Sequence, residues 1–336
     1  MKVAIGAIVL GVVGYFGLSY FGFIGADEYY GSGSGTVKVV IPEGATGDQI
    51  GETLEDAGVV KSAQGFYQEL LGDDRASSIQ PGTFQLHKRM SSKAALDALL
   101  DRSNRVEVTV VIPEGSRVGQ IVEAITSSTD ISEGDVEEAL DSPDAIGLPD
   151  SANGNPEGYL FPATYSVDEG MTAVQLLKQM VDQTKKVEEE LDISARAAAV
   201  NLDEEQVLTV ASILEYEARR DEDYPKVARV LYNRLNDDIP LQLDSTVSYV
   251  SKRKGDVWTT EAERSDPSEY NTYQHIGLPP GPIGSPGRKT IEAALNPADG
   301  DWLYFLADKE GVTHFSQTYE EHVAICHRIY GAQTEC

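Results

Sequence analysis

Two segments of the chain carry one hydrophobic pattern. Val37-Lys38-Val39-Val40-Ile41-Pro42-Glu43-Gly44 returns as Val108-Thr109-Val110-Val111-Ile112-Pro113-Glu114-Gly115, and Gln49, Ile50 and Glu52 return as Gln120, Ile121 and Glu123. Each copy predicts a buried strand, a Pro-x-Gly turn and a helix, at 47–57 and 118–127. Two copies are too few for a solenoid and predict two related α/β units in tandem. Between them the pattern predicts a helix at 62–71, a turn and strand at 81–86, and a helix at 92–100 capped by Ser91 or Ser92. A connection rich in Pro, Gly and Asn follows at 142–158, then a long helix at 172–191 with Lys185, Lys186 and Glu188 to Glu190 on a solvated face. Further helices are predicted at 204–219 and 224–236. Short strands and loops lead to a buried strand at 302–307 and an amphipathic helix at 319–330. The fold class is α+β.

The N-terminus has a different pattern. Residues 3–26 carry no charge and hold Ile5, Ile8, Leu10, Val12, Phe16, Leu18, Phe21 and Ile24 among others. About 20 apolar residues suffice to span a bilayer. Lys2 precedes the span and Asp27 and Glu28 follow it, so the positive-inside rule puts the N-terminus in the cytoplasm and the rest outside. A cleaved signal peptide is the alternative; the length of the run and the lack of a small-x-small cleavage site favour an anchor. Gly31-Ser32-Gly33-Ser34-Gly35 then reads as a flexible linker. The expected organisation is an anchor at 1–26, a linker at 27–36, a small α/β module at 37–103, and a larger domain at 104–336 that includes the second repeat at 106–150.

Charge narrows the ligands. Lys plus Arg number 27 against 55 Asp plus Glu, a formal charge of −28, which repels nucleic acid and anionic lipid surfaces. Cys326 and Cys336 lie close together at the C-terminus, where a disulfide and two free thiols are both open readings. The sequence holds no phosphate loop, dinucleotide fingerprint or metal-ligand spacing, so no cofactor is expected.

One residue stands out against its surroundings. In the 204–219 helix, with Asp203 as N-cap and Gln206 at the capping-box position, Leu208, Ala211, Ser212, Glu215 and Ala218 share a face. Glu215 therefore interrupts a stripe that should pack inward. A carboxyl in a partly apolar site resists ionisation, the state a general acid for glycosidic cleavage requires. The plain alternative is a helix-end Glu paired with Arg219. Glu217, two positions on, points to another side of the helix.

Around this helix lie Glu157-Gly158-Tyr159-Leu160-Phe161-Pro162, Tyr232-Asn233-Arg234-Leu235, Leu241-Gln242-Leu243-Asp244-Ser245-Thr246-Val247, Tyr270-Asn271-Thr272-Tyr273 and Gly277-Leu278-Pro279-Pro280-Gly281-Pro282-Ile283. Together with Ala211-Ser212-Ile213-Leu214-Glu215-Tyr216-Glu217 and the late Tyr304-Phe305 and His314-Phe315 pairs, these segments resemble the YceG-like family of endolytic murein lytic transglycosylases. The pattern departs from the family's usual one at Ser245, Ala163 and Tyr216, where proline, aspartate and lysine are common. The resemblance covers essentially the whole chain. It implies an anchor, a LysM-like module and a catalytic domain, with peptidoglycan glycan strands as substrate and peptidoglycan synthases as possible partners. It also implies cleavage between MurNAc and GlcNAc with a 1,6-anhydro product, and makes Glu215 the acid/base. Glu157, Gln242, Asp244, Ser245, Thr246, Asn271 and Tyr273 are the expected substrate-groove residues. A muramidase, using Asp244, Glu217 or Glu157 as a second carboxylate, and a non-catalytic glycan-binding scaffold are the alternatives.

Overall fold

The computed structural model describes residues 28–251 and 259–333. The apolar run read as an anchor and Cys336 lie outside these residues; among the described residues no helix is long and apolar enough to cross a membrane. The chain forms two compact units, one running through Val108 and including Asp168–Gly170, the other taking Thr109–Val167 and the chain from Met171 onward.

The first unit is strand, helix, helix, strand, helix: β1 (Ser34–Ile41), α1 (Gly47–Asp56), α2 (Ala63–Leu71), β2 (Gly82–Lys88) and α3 (Ser92–Leu100). β1 and β2 pair antiparallel, with Val39 opposite Phe84 and Val37 opposite Leu86. The helices begin where short polar side chains can satisfy free N–H groups. Thr46 and Gln49 form a capping box, while Ser62 and Ser91 accept from Gly65 and Ala94. One face of the two-stranded sheet and the inner faces of the helices bury Val39, Ile41, Ile50, Leu54, Phe66, Phe84, Leu86 and Leu96. The expected buried strand is in fact half-buried, because Val40 turns outward and is 50% exposed.

The second unit opens with the second repeat. It contains all but the first residue of β3 (Val108–Val111), then α4 (Val118–Ser128), α5 (Glu133–Leu140), α6 (Pro143–Ile146) and β4 (Thr164–Val167), with β4 paired to β3. The strand–helix–helix–strand order of the first unit therefore recurs with one short extra helix, α6, before the second strand. Val110, Ile112, Ile121 and Ile125 are buried where Val39, Ile41, Ile50 and Leu54 are buried in the first copy. Gly44 and Gly115 end the two turns at φ +73° and +75°, a conformation glycine takes without steric cost.

The rest of the unit is mostly helical: α7 (Ala173–Glu190), α8 (Ile193–Ala197), α9 (Glu204–Glu217), α10 (Tyr224–Asn236), α11 (Asp244–Val250), α12 (Glu261–Arg264) and α13 (Arg288–Leu295). A hairpin of β5 (Tyr304–Ala307) and β6 (Thr313–Ser316) and a last helix, α14 (Tyr319–Tyr330), close it. α9 is its centre. Every residue from Val207 to Leu214 is buried, so the helix has no solvent face over two turns, rather than a single inward stripe. It ends at Glu217 because Ala218 is extended (φ −122°, ψ 141°), which takes Arg219 out of helical register with Glu215. α11 and α13 stand where loops were expected; both are short and gain their stability from packing rather than propensity. β5 is half-buried rather than buried.

Candidate active site

The two carboxylates at the end of α9 face different neighbours. Glu215 Oε1 accepts the Gly287 N–H at 2.7 Å and the Thr290 hydroxyl at 2.6 Å. Gly287 is the N-cap of α13 and Thr290 lies in its first turn, so the carboxylate seals a helix N-terminus. The surrounding loop is tightly built. Gly115 N–H donates to Ser285 O at 2.8 Å and Ser285 N–H to Ser116 O at 2.9 Å, which ties the second repeat's turn to the segment before α13. Ile283 N–H donates to Ser212 Oγ at 3.0 Å. Burial pushes the Glu215 carboxyl above its ordinary range, against the two hydrogen bonds that favour its ionised form.

Glu217 faces the other motif segments. Its Oε1 accepts the Ser245 hydroxyl at 2.6 Å. Next to Ser245, at the start of α11, Asp244 Oδ1 accepts the Tyr273 hydroxyl at 2.9 Å and the Thr259 hydroxyl at 2.5 Å, with Arg264 Nε 3.6 Å away. The Arg264 guanidinium also lies over the Tyr273 ring at 5.3 Å. Glu217 is partly exposed. Burial pushes its pKa up to about 7, the neighbouring Asp244 charge adds to this, and the Ser245 hydrogen bond opposes it. Near neutral pH this group is therefore divided between its acid and base forms, the condition for giving up a proton and taking one back.

A third buried carboxyl lies nearby. Glu157 is 5% exposed; Oε1 accepts the Val118 N–H at 3.1 Å, in the first turn of α4, and Oε2 the Tyr249 hydroxyl at 3.3 Å. Burial outweighs those bonds and raises its pKa to about 7. Above it runs a stack: Arg117 lies over Tyr216 (5.5 Å) and over Tyr249 (5.3 Å), and Tyr249 meets Tyr270 at 4.9 Å.

Residues 39–328 match the model of the YceG-like family. The chain belongs to that family. It is 35% identical to the endolytic murein transglycosylase of Bacillus subtilis over 85% of this chain and 83% of the relative. It is 31% identical to the Streptococcus pneumoniae protein of the same name, over 94% of this chain but 62% of that longer protein. In the crystal structure of a yceG-like protein from Listeria monocytogenes the fold recurs with a TM-score of 0.59 at 30% identity, over 87% of this chain and 99% of that one.

Within this YceG-like chain the residues expected in a groove divide into two sets. Asp244, Ser245 and Tyr273 gather around Glu217, not Glu215. Gln242 is exposed at φ +54°, its N–H bonded to Thr272 O at 3.1 Å. Thr246 and Asn271, by contrast, are fully buried. The Thr246 hydroxyl donates to Leu243 O and meets the Thr272 hydroxyl; the Asn271 amide donates to Arg264 O and Asp266 O and accepts from Tyr273 N–H. Both fix the loops that carry Asp244 and Tyr273 and offer no free polar atom to a sugar. The Tyr232-Asn233-Arg234 motif does the same work from α10. Tyr232 donates to Ala294 O, Asn233 to Gly300 O and Trp302 O, and Arg234 to Leu303 O, Pro240 O and Leu241 O, directly before Gln242. Sequence reasoning missed Arg117, Tyr249, Arg264 and Thr290. The one available signal was for Arg117: the first repeat has Thr46 at that place, so the change to a large cation marks a changed task.

Proposed function

We propose that this chain is an endolytic murein transglycosylase whose acid/base is Glu217, with Glu215 as the brace that holds the end of α9. The carrying observation is the convergence of Ser245, Asp244 and Tyr273 on the Glu217 side of the helix, around a carboxyl with a pKa of about 7. Glu215, tied by one oxygen to two donors of α13, has a structural partner set instead. Protonated Glu217 gives its proton to the glycosidic oxygen as the bond from MurNAc C1 breaks. The same carboxylate then takes the proton of the MurNAc C6 hydroxyl as that oxygen closes on C1. No water enters, and the product is a 1,6-anhydro end. One carboxyl serves both steps because the nucleophile is part of the substrate and is held by proximity. Asp244, fixed by Tyr273 and Thr259, is placed to stabilise positive charge developing at C1.

Asp244 also gives the muramidase reading its one supporting observation, a second carboxylate beside the first. Digestion of purified peptidoglycan in ¹⁸O-labelled water separates the two. The transglycosylase leaves new ends unlabelled and the muramidase labels them. The N-terminal apolar run supports a single-pass anchor in the cell membrane with both units on the outer side, where glycan strands are made and peptidoglycan synthases work. The strand–helix–helix–strand first unit supports a LysM-like reading. Cysteine placed at Ser32 and tested with an impermeant thiol reagent on intact cells checks the topology; protection would reverse it.

A further inference from the structure

A cavity of about 600 Å³ lies at the opposite end of α9 from the carboxylates. Gln206 and Thr209 of α9, Asn201 before it, Asn236 at the end of α10, and Leu278 and Pro280 of the Gly277–Ile283 segment line it. That segment is one of those that carry the family resemblance, and its first half is placed here, at the far end of α9 from Glu217. Thr209 to Glu217 is eight residues, about 12 Å of helix at 1.5 Å per residue, a span of about two sugar rings.

The surfaces between the two places are continuous in chemistry. Gly281 sits where a Cβ would come within 3.3 Å of the Tyr270 hydroxyl and 3.7 Å of Glu205 Oε1, so the loop passes directly from the cavity wall to the aromatic stack. Tyr270, Tyr249, Arg117 and Tyr216 then lead to the end of α9 that carries the two carboxylates, each of them partly exposed. Aromatic faces of this kind stack on pyranose rings, and exposed Asn and Gln amides pair with acetamido and hydroxyl groups. Asp203 and Glu205 outnumber Arg229 in the lining, on a chain of net charge −28, which disfavours an anionic peptide stem.

We infer that this cavity is a distal binding site for neutral, N-acetylated glycan, which holds the strand about two sugars or more from the cleaved bond. The inference rests on the glycan-cleaving reading and deepens it. Such a site would make the enzyme cut inside strands, at a distance from the end set by the protein itself.

The test uses the full chain carrying Glu217→Gln, with a fluorescent N-acetylglucosamine tetramer as probe and fluorescence anisotropy as readout. Asn236→Ala should weaken binding roughly fivefold, the value of one lost hydrogen bond. Asn236→Trp, which fills the cavity from an exposed helix end, should weaken it further, to the level that the groove beside Glu217 retains by itself. In the otherwise wild-type chain, Asn236→Trp should still cleave peptidoglycan but give a different distribution of product lengths. Unchanged tetramer binding in both variants, or an unchanged length distribution from an actively cleaving Asn236→Trp chain, would overturn the proposal while leaving the activity intact. A thermal melt of each variant matching its parent excludes misfolding as the cause. Absence of cleavage by the parent chain would instead count against the glycan-cleaving reading, and the anisotropy result would still decide whether the cavity binds sugar.

Discussion

Glu157→Gln should stabilise this protein at pH 8 and leave it nearly unchanged at pH 4. Glu157 is 5% exposed and its pKa is raised from 4.5 to about 7, chiefly by burial. A carboxyl whose folded-state pKa is raised binds its proton more tightly when folded. Its contribution is fully present below pH 4.5 and is lost as pH rises through about 7, where the folded protein has to hold a charge it solvates poorly. The interval from 4.5 to about 7, at about 1.36 kcal/mol per pH unit, comes to roughly 3 kcal/mol. Glutamine keeps an acceptor for the Val118 N–H or the Tyr249 hydroxyl and removes the charge. Thermal melts of both proteins at pH 4, 6 and 8 read the difference; by pH 8 it should be several degrees in favour of Glu157→Gln. A variant equally stable at all three pH values, or one destabilised more as pH rises, would refute the reasoning and make Glu157 an ion that the fold requires.

Ser245→Ala removes the hydroxyl that favours the ionised Glu217, so the alkaline limb of the pH–rate profile should move upward, by about one pH unit for a hydrogen bond to a charged group; an unmoved limb would detach Ser245 from the catalytic proton. Arg234→Met removes donors to three backbone carbonyls, at 2.6, 3.1 and 2.8 Å, and should cost about 3 kcal/mol in denaturant titration while lowering kcat without shifting the pH limbs. Gly284→Ala would bring a Cβ to 2.8 Å from Gly115 O, a backbone atom with no room to give, and should lower the melting temperature, by about 1–3 kcal/mol of overpacking, together with activity.

The sequence made the repeat legible because burial and turn geometry act locally: Val39 and Val110, Ile50 and Ile121, Gly44 and Gly115 occupy the same roles in both copies. Helix limits were legible wherever a capping side chain marks them, as at Thr46, Thr172, Asp203 and Thr318. The 204–217 helix was legible too, and so was the divergence of Glu215 and Glu217 to different partners. Which carboxylate meets the Leu241–Val247 segment was not. Periodicity assumes one inward stripe, and α9 is buried all round, so it gives no direction. The answer depends on where the Leu241–Val247 and Gly277–Ile283 segments fold back, which no spacing encodes. Thr246 and Asn271 illustrate the same limit: polar residues inside a motif look like ligand contacts until their hydrogen bonds are traced to nearby carbonyls.

The central claim meets its most direct test in the ends left on peptidoglycan by three full-length proteins: the parent, Glu217→Gln and Glu215→Gln. Mass spectrometry should find 1,6-anhydro-MurNAc ends from the parent, none above background from Glu217→Gln, and a reduced but clear yield from Glu215→Gln with its pH limbs in place. Anhydro ends from Glu217→Gln at the parental rate, with none from Glu215→Gln, would contradict the account and move the acid/base to the carboxylate that α13 holds.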